Sequence, residues 1–418
     1  MTSDSAKQIV EHFFRHESAN PIAVLARAFG LRRIELIEET VQAVMLEAMQ
    51  AWPKSGLPEN PAAWIHRVAR NRIIDVLRRE KVFQHAVTQL GQSVESQSSL
   101  VDHWLEEDQI ADSLLRTIFV CCYPSLDRKS QIALTLKTLC GFSIAEIARG
   151  LLLPTETVKK RVQRARTFLA TANVTLQLPD SDQLVDRLDI VHQVLYLLFN
   201  EGYSTTDRTE PVRDDICEEA VRLTHLLCES SYGSQETKAL LALMLFHSSR
   251  LSARVDDEGA VILLEDQDRS KWDRRLICQG QYWLAESKVK QPTSHHLQAG
   301  IAMLHCIAPS VKETNWIAIA QLYGQLRQQQ DSPLYALNQA IAIGESGDKT
   351  TALEQLKSLQ AHKTLAHYHI LDCAIARIHE QNGNSELAIA SYKAAMQKDP
   401  APHELDLLKR KIAKLKKT

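Results

Sequence analysis

Long hydrophobic runs are missing from this sequence, and glycine and proline are scarce. No stretch approaches the roughly 18 uninterrupted apolar residues that a membrane span needs, so we expect a cytoplasmic protein with no membrane partner. Glycine and proline number 14 and 13 in 418 residues, and alternating apolar and polar runs are nearly absent. Because turns and strands depend on such residues and patterns, these absences favour a helical protein.

Net positive charge is missing as well. The chain has 49 Lys and Arg against 51 Asp and Glu, for a formal net charge of −2, whereas proteins that coat nucleic acid are usually strongly basic. Any contact with DNA must therefore be local. Two segments with helical periodicity are basic enough to provide one, at residues 64–81 and 155–169.

Motifs for metal, cofactor or catalytic chemistry are also lacking. The eight cysteines include no C-x-x-C spacing, so we expect buried, reduced thiols without a zinc site or a disulfide frame. No phosphate-binding loop, glycine-rich dinucleotide loop or nucleophile elbow is present. We therefore expect no metal, no cofactor and no enzymatic activity.

The chain consists of two helical blocks followed by a long third region. Apolar residues recur at spacings of three and four throughout, which predicts an all-α fold, and 418 residues exceed what one core usually organises. The blocks cover residues 5–82 and 108–171, a polar segment at 83–107 is predicted to be a linker, and the third region covers 184–418. Within it, residues 253–264 predict either a β-hairpin or an irregular loop.

The second block contains the pattern of a helix-turn-helix at residues 141–170. Ser143 is placed to cap the first helix, and Leu153-Pro154-Thr155 forms a turn that ends in Thr155 as a good N-cap. The second helix has a buried stripe of Val158, Val162, Ala165 and Leu169, with basic residues mostly outside it. Such a helix can enter the major groove of DNA, although a solvated amphipathic helix would also explain its basic face.

The basic segment of the first block combines an aromatic residue with arginines. Its apolar stripe consists of Trp64, Val68, Ile73 and Leu77, and arginines flank this stripe. Unpaired bases are held by stacking on aromatic or guanidinium planes and by a basic track for the backbone. Taken alone, the segment is better explained as a basic surface helix over a buried tryptophan.

Together the two blocks carry the motifs of a known family in the family's order. Glu38-Glu39-Thr40-Val41-Gln42-Ala43 and Pro61-Ala62-Ala63-Trp64-Ile65 are followed by the Ala-Arg-Asn segment at 69–79. The helix-turn-helix then supplies Glu146-Ile147-Ala148 and the Thr-Val-Lys segment at 157–166. The chain thus resembles regions 2 and 4 of extracytoplasmic-function sigma factors of RNA polymerase, and only about thirty residues separate these regions.

The resemblance implies a role for each motif in binding core RNA polymerase, through its clamp and flap regions, and promoter DNA. Contact with the polymerase is expected from Glu38, Glu39, Val41 and Gln42. Recognition and melting of the −10 element are expected from Trp64, Arg67, Arg70, Asn71, Arg78 and Arg79. Recognition of the −35 element is expected from Thr155, Glu156, Thr157, Lys159, Lys160, Arg161 and Arg164.

The third region resembles the extension of a sigma-factor subgroup, notably at residues 195–203 and 263–272. Near 333–402 it also fits tetratricopeptide-like repeats, because Ala388, Tyr392, Ala395 and Pro400 occupy second-helix positions of that repeat. The resemblance to the subgroup implies an autonomous helical module that regulates the sigma factor and binds polymerase, and we expect a regulatory protein or a ligand as a further partner of the extension.

These features predict a sigma factor that directs promoter-specific initiation and is regulated by its C-terminal extension. Two alternatives remain: a helix-turn-helix regulator that acts without polymerase, and a tetratricopeptide-type interaction scaffold. Val41-Gln42 and the Trp64/Asn71 segment favour the sigma factor, because a plain repressor needs neither.

Overall fold

The computed structural model describes residues 19–56, 58–85, 107–151, 153–172, 174–203, 213–256, 262–365, 368–398, 400 and 402–416. These residues form eighteen α-helices and no strand, which confirms the predicted all-α fold. None of these helices is both long and apolar enough to cross a bilayer. The chain divides into two compact units, Met1–Gly202 and Tyr203–Thr418, and each is described by itself.

Three helices form the first block of the N-terminal unit: α1 (Ala19–Phe29), α2 (Ile34–Ser55) and α3 (Pro61–His85). A 3-10 turn at Leu31–Arg33 joins the first two. Gly56 ends α2 with φ 85°, a left-handed conformation that glycine adopts without a Cβ penalty. The apolar faces of the three helices meet in one core that includes Leu25, Ile37 and Ile73.

The rest of the N-terminal unit consists of α4 (Glu107–Cys121), α5 (Arg128–Thr138), α6 (Ile144–Gly150), α7 (Thr155–Thr171) and α8 (Ser181–Tyr203). Asp127 caps α5 by accepting a hydrogen bond from the Ser130 amide at 3.0 Å. Helix α8 contacts this block, because Arg187 donates to the Phe119 carbonyl and its guanidinium lies 5.2 Å from the Tyr123 ring centroid.

The C-terminal unit is a series of ten helices in the part that the structure describes: α9 (Asp214–Glu229), α10 (Gln235–Ser248), α11 (Arg274–Glu286), α12 (Ser294–Ile307), α13 (Trp316–Gln329), α14 (Pro333–Glu345), α15 (Lys349–Leu359), α16 (His369–Gln381), α17 (Ser385–Met396) and α18 (Pro402–Leu415). Two 3-10 turns, Leu251–Ala253 and Arg269–Lys271, lie between α10 and α11. Polar caps define several helix starts; the Ser234 side chain, for example, accepts from the Thr237 amide.

Small residues allow the C-terminal helices to pack closely. A Cβ added at Gly344 would lie 3.2 Å from the Ala352 Cβ and 3.3 Å from the Ile378 Cδ1. Ala388, Tyr392 and Ala395, three of the positions that predicted a tetratricopeptide-like repeat, are fully buried. The repeat interpretation nevertheless stays a prediction, because burial of small residues occurs in any close helix pair.

Some predicted features differ from the structure or lie outside its described residues. The predicted linker 83–107 begins inside α3, which continues to His85, and residues 86–106 lie outside the described residues. The tip of the hairpin or loop predicted at 253–264, residues 257–261, also lies outside them; its flanks are joined by a 2.6 Å hydrogen bond from the Ile262 amide to the Arg254 carbonyl. All eight cysteines are free, but the prediction that they are buried is wrong at three of them: Cys278 is exposed, and Cys228 and Cys373 are half-buried.

Candidate nucleic-acid and polymerase interface

Helix α7 separates an apolar stripe from a basic face. Val158, Val162, Ala165 and Leu169 are buried, which confirms the predicted stripe. Of the residues predicted to read the −35 element, Thr157 and Arg161 are half-buried. The other five are exposed: Thr155, Glu156, Lys159, Lys160 and Arg164. A duplex can therefore approach the basic face without disturbing the core beneath it.

A capping box and a tight turn hold α6 and α7 in place. The Ser143 side chain accepts from the Glu146 amide at 3.1 Å, and Glu146 accepts from the Ser143 amide at 2.8 Å, which confirms the predicted cap. The predicted N-cap of α7 is wrong, because Pro154 occupies this position and Thr155 is the first helical residue. The Thr157 amide is instead satisfied by the Pro154 carbonyl at 2.8 Å.

Helix α3 carries the candidate −10 residues. Arg67, Asn71, Arg78 and Arg79 are exposed and Arg70 is half-buried, so a continuous polar face is open to a DNA strand. The Trp64 ring is half-buried and lies 5.6 Å from the Trp52 ring, edge to face. Packing of Trp64 against the core leaves only part of its ring available for stacking with a base.

Sequence analysis missed one buried polar residue on the same helix. His66 is 1% exposed, and neither ring nitrogen has a hydrogen-bond partner. Burial lowers the pKa of His66 to about 4, from an ordinary value of 6.5. Only the three-dimensional packing identifies this residue, because a histidine among arginines on a basic helix is expected at the surface.

The four candidate polymerase-binding residues fall on different faces of α2. Glu39 and Gln42 are exposed, whereas Val41 is fully buried in the helical core. Glu38 is only 3% exposed. Glu38 and Val41 thus lie on the inner face of α2, and Glu39 and Gln42 lie where a partner can reach them.

Glu38 is covered by the helix-turn-helix block. The Thr138 hydroxyl donates to its carboxylate at 3.1 Å, and Arg166 of α7 forms an ion pair with it. A second link joins the blocks through Asp112 of α4, which accepts from Arg27 of α1 at 2.8 Å and from Arg116 at 2.9 Å. The two candidate DNA-binding helices, α3 and α7, therefore belong to blocks that are held together by buried or half-buried ion pairs.

Comparison with known proteins agrees with this architecture. Residues 17–82 match sigma-70 region 2, and residues 116–169 match sigma-70 region 4. Residues 187–288 match a family of unknown function, DUF6596. The uncharacterized protein R00370 of Rhizobium meliloti (strain 1021) is 36% identical over 345 residues, which cover 82% of this chain and 81% of the relative. No solved structure matches the chain.

Region 2 followed by region 4 defines a sigma factor, a protein that acts in transcription initiation by binding core RNA polymerase and promoter DNA. The chain belongs to the extracytoplasmic-function sigma factors of the sigma-70 family, as a member with a C-terminal extension. The prediction of a sigma factor with helix-turn-helix DNA binding is thus confirmed.

Proposed function

We propose that α7 reads the −35 element of the promoter. The exposed basic face of this helix, opposite a fully buried stripe, is the observation that carries the proposal. Lys159, Lys160, Arg161 and Arg164 neutralise phosphates, which supplies affinity without sequence information. Thr155, Glu156 and Thr157 lie in the first turn of the helix, where side chains of a recognition helix reach base edges.

We propose that α3 captures the melted −10 strand. Arg67 and Asn71 are exposed within one turn of each other and contact an unpaired base and its phosphate. Arg70, Arg78 and Arg79 extend the basic track along the helix. Trp64 contributes the accessible part of its ring, because its other part packs on Trp52.

Core RNA polymerase is proposed to bind α2, starting from Glu39 and Gln42. Both residues are exposed while the two blocks are packed together. Glu38 becomes available only when Arg166 and Thr138 move away from it. Val41 contributes by holding α2 on the core of its block. Polymerase binding is therefore coupled to separation of α7 from α2.

The C-terminal unit is proposed to regulate this activity in response to a protein or ligand, within the cytoplasm where polymerase and promoters are found. The catalyst of RNA synthesis is the polymerase, so this role requires no reaction catalysed by the chain itself. The support is that residues 203–418 form a unit of their own with its own cores.

Transcription in vitro tests the proposed function. Core polymerase is incubated with a library of promoter fragments, with and without the purified protein. Initiation at defined start sites that depends on the protein is the expected result, and the selected fragments give the −10 and −35 sequences. DNA binding without any effect on polymerase would instead favour a regulator that acts on duplex DNA alone.

A further inference from the structure

Three arginines gather around two aromatic rings in the C-terminal unit. Arg250, Arg254 and Arg269, here called the arginine cluster, lie in and around the segment between α10 and α11. The guanidinium carbon of Arg254 lies 3.8 Å from the ring centroid of Tyr203. The corresponding distances to the Trp272 ring are 4.5 Å for Arg269 and 5.9 Å for Arg250. The whole of this segment falls within the match to the family of unknown function, at 187–288.

The arginine cluster has no carboxylate partner among the residues that the structure describes. Arg250 is 6% exposed and donates only to neutral groups, the Tyr203 hydroxyl at 3.0 Å and His247 Nδ1 at 2.8 Å. Arg269 donates to the carbonyl oxygens of His305 and Ala308, at 2.6 and 2.7 Å. Burial of a cation without a counter-ion is unfavourable in free energy. The arginine cluster therefore destabilises the protein as long as no anion is bound to it.

Three titratable side chains next to the cluster, His247, His305 and Cys306, add no negative charge. Burial, reinforced by Arg250 and Arg254, lowers the pKa of His247 well below its ordinary value. Burial together with Arg250 and Arg269 lowers the pKa of His305 to about 3. Burial also raises the pKa of the Cys306 thiol despite the nearby arginines. At neutral pH these three groups are uncharged, so none of them offsets the positive charge of the cluster.

Several buried hydrogen-bond donors at the cluster lack an acceptor. Three buried nitrogen atoms make no hydrogen bond: Arg250 Nε, Arg254 Nε and the indole Nε1 of Trp272. The Trp272 side chain as a whole is almost fully buried. Buried polar groups are normally satisfied. A set of unsatisfied donors next to uncompensated guanidinium groups is complementary to an anion with several acceptor oxygens.

We propose that the arginine cluster binds a phosphate group, either free or on a small molecule. Guanidinium groups hold phosphate oxygens in paired, charge-assisted hydrogen bonds, and Trp272 Nε1 adds a neutral donor. Arg269 and His305 also line a cavity of about 130 Å³, which has room beside the cluster for part of an organic molecule. The carboxylates of Glu265 and Glu345 on that cavity are already paired with Arg377.

The test measures thermal unfolding and calorimetric binding of the full-length protein with sodium phosphate or sodium chloride at equal ionic strength and pH 7.5. Phosphate is expected to raise the unfolding temperature of the wild type. Arg254→Gln is expected to weaken phosphate binding by about tenfold or more, since the variant lacks one charge-assisted hydrogen-bond donor. Arg275→Gln is the matched control, because its side chain is 80% exposed in the same unit, and it should respond like the wild type.

A purely structural role for the cluster gives a different pattern. If Arg254 only stabilises the fold by stacking on Tyr203, Arg254→Gln lowers the unfolding temperature in both salts and keeps the phosphate response. The proposal instead requires that the variant lose most of its response to phosphate, whatever its stability in chloride. If Arg254→Gln fails to fold, Arg254→Lys replaces it in the test; this variant keeps the charge but not the paired donors, and it should bind phosphate weakly.

Further outcomes settle the proposal and its source of phosphate. If phosphate raises the unfolding temperature equally in the wild type, Arg254→Gln and Arg275→Gln, the effect is a general salt effect and the proposal is overturned. The proposal is also overturned if the wild type responds neither to inorganic phosphate nor to glycerol phosphate. Tighter binding of glycerol phosphate supports a phosphorylated small molecule, and tighter binding of inorganic phosphate supports the free ion. Neither polymerase nor promoter DNA enters the experiment, so its failure leaves the proposed function untouched.

Discussion

Glu38 and His66 show how single residues of region 2 depend on their surroundings. Glu38 is paired with Arg166 from region 4, whereas His66 is enclosed without any hydrogen-bond partner. Glu38 therefore links regions 2 and 4, whereas burial of the unpaired His66 ring lowers the stability of region 2. Each leads to a measurable consequence.

Replacement of Arg166 by Ala is expected to separate regions 2 and 4. The substitution leaves the buried Glu38 carboxylate without an ion-paired hydrogen-bond donor, with the Thr138 hydroxyl as its remaining hydrogen-bond partner. Removing one partner of a buried ion pair typically costs about 3–5 kcal/mol. Separation of the regions relieves this cost by exposing Glu38 to water. We expect faster hydrogen exchange along α2 and tighter binding to core polymerase, measured by mass spectrometry and by fluorescence anisotropy.

The matched control for Arg166 is Arg164→Ala, since Arg164 is exposed on the same helix. It should leave exchange along α2 and the affinity for core polymerase unchanged. Weaker polymerase binding by Arg166→Ala, with unchanged exchange, would contradict a coupling between the ion pair and access to Glu38.

His66 is expected to make the N-terminal unit less stable as the pH falls. Its pKa in the folded protein is about 4, below the ordinary 6.5, so the unfolded state takes up the proton first. The contribution of neutral His66 is complete above about pH 6.5 and is lost between pH 6.5 and 4, by up to roughly 3 kcal/mol. His66→Leu should reduce the pH dependence of urea unfolding over this window.

The exposed His362 offers a control for that experiment. His362→Leu should leave the pH dependence as it is in the wild type. A titration of the His66 ring by NMR with a midpoint near 6.5 would show that the ring is accessible to water and would remove the basis of the prediction.

At the scale of elements, the short helix α6 and the turn at Pro154 fix the orientation of α7 within its block. The capping box of Ser143 and Glu146 fixes the start of α6, and Tyr123 packs against Phe168 of α7 with ring centroids 6.0 Å apart. Because the buried stripe of α7 is anchored on this scaffold, its basic face can be altered without repacking the core.

Removal of two charges from that face is expected to weaken binding to the −35 element. In Arg161→Ala with Arg164→Ala, the slope of log affinity against log salt should decrease in magnitude by about 0.9 for each phosphate that the variant no longer neutralises. Filter binding with promoter fragments at several salt concentrations measures this slope. The exposed Gln163→Ala serves as the control on the same helix. A loss of polymerase binding in the double variant, with DNA binding kept, would contradict the division of labour between the regions.

At the scale of the whole molecule, the chain forms two compact units that divide at Gly202 and Tyr203. Helix α8 therefore belongs to the N-terminal unit, and Arg187 ties it to Phe119 and Tyr123 of region 4. A truncation that tests the extension must keep this helix.

Truncation after Gly202 is expected to keep DNA and polymerase binding while removing control by the extension. A truncation after residue 173 also removes α8 and should unfold at a lower temperature, because Arg187 is then absent and no longer holds Phe119 and Tyr123. Thermal unfolding and in vitro transcription of both forms and of the full chain provide the comparison. If the form ending at Gly202 initiates transcription at the same level as the full chain under all conditions tested, the extension has no regulatory role.

The sequence by itself determined the helical fold, the order of the two sigma regions and the faces of α7. Periodicity specifies which side of a helix is apolar, so Val158, Val162, Ala165 and Leu169 were assigned correctly, and Ser143 followed from local capping chemistry. The start of α7 was displaced by one residue because Pro154, rather than Thr155, serves as its N-cap.

Only the tertiary structure decided which polar residues are covered and by what. Glu38 and Glu39 are neighbours in a charged motif, yet the structure buries the first beneath Arg166 and leaves the second exposed. The isolation of His66 and the arginine cluster around Tyr203 and Trp272 depend on packing between residues far apart in the chain. Local sequence patterns specify which side of each helix is apolar. Which polar side chains are buried, and which charges are paired, depends on how the helices pack against one another.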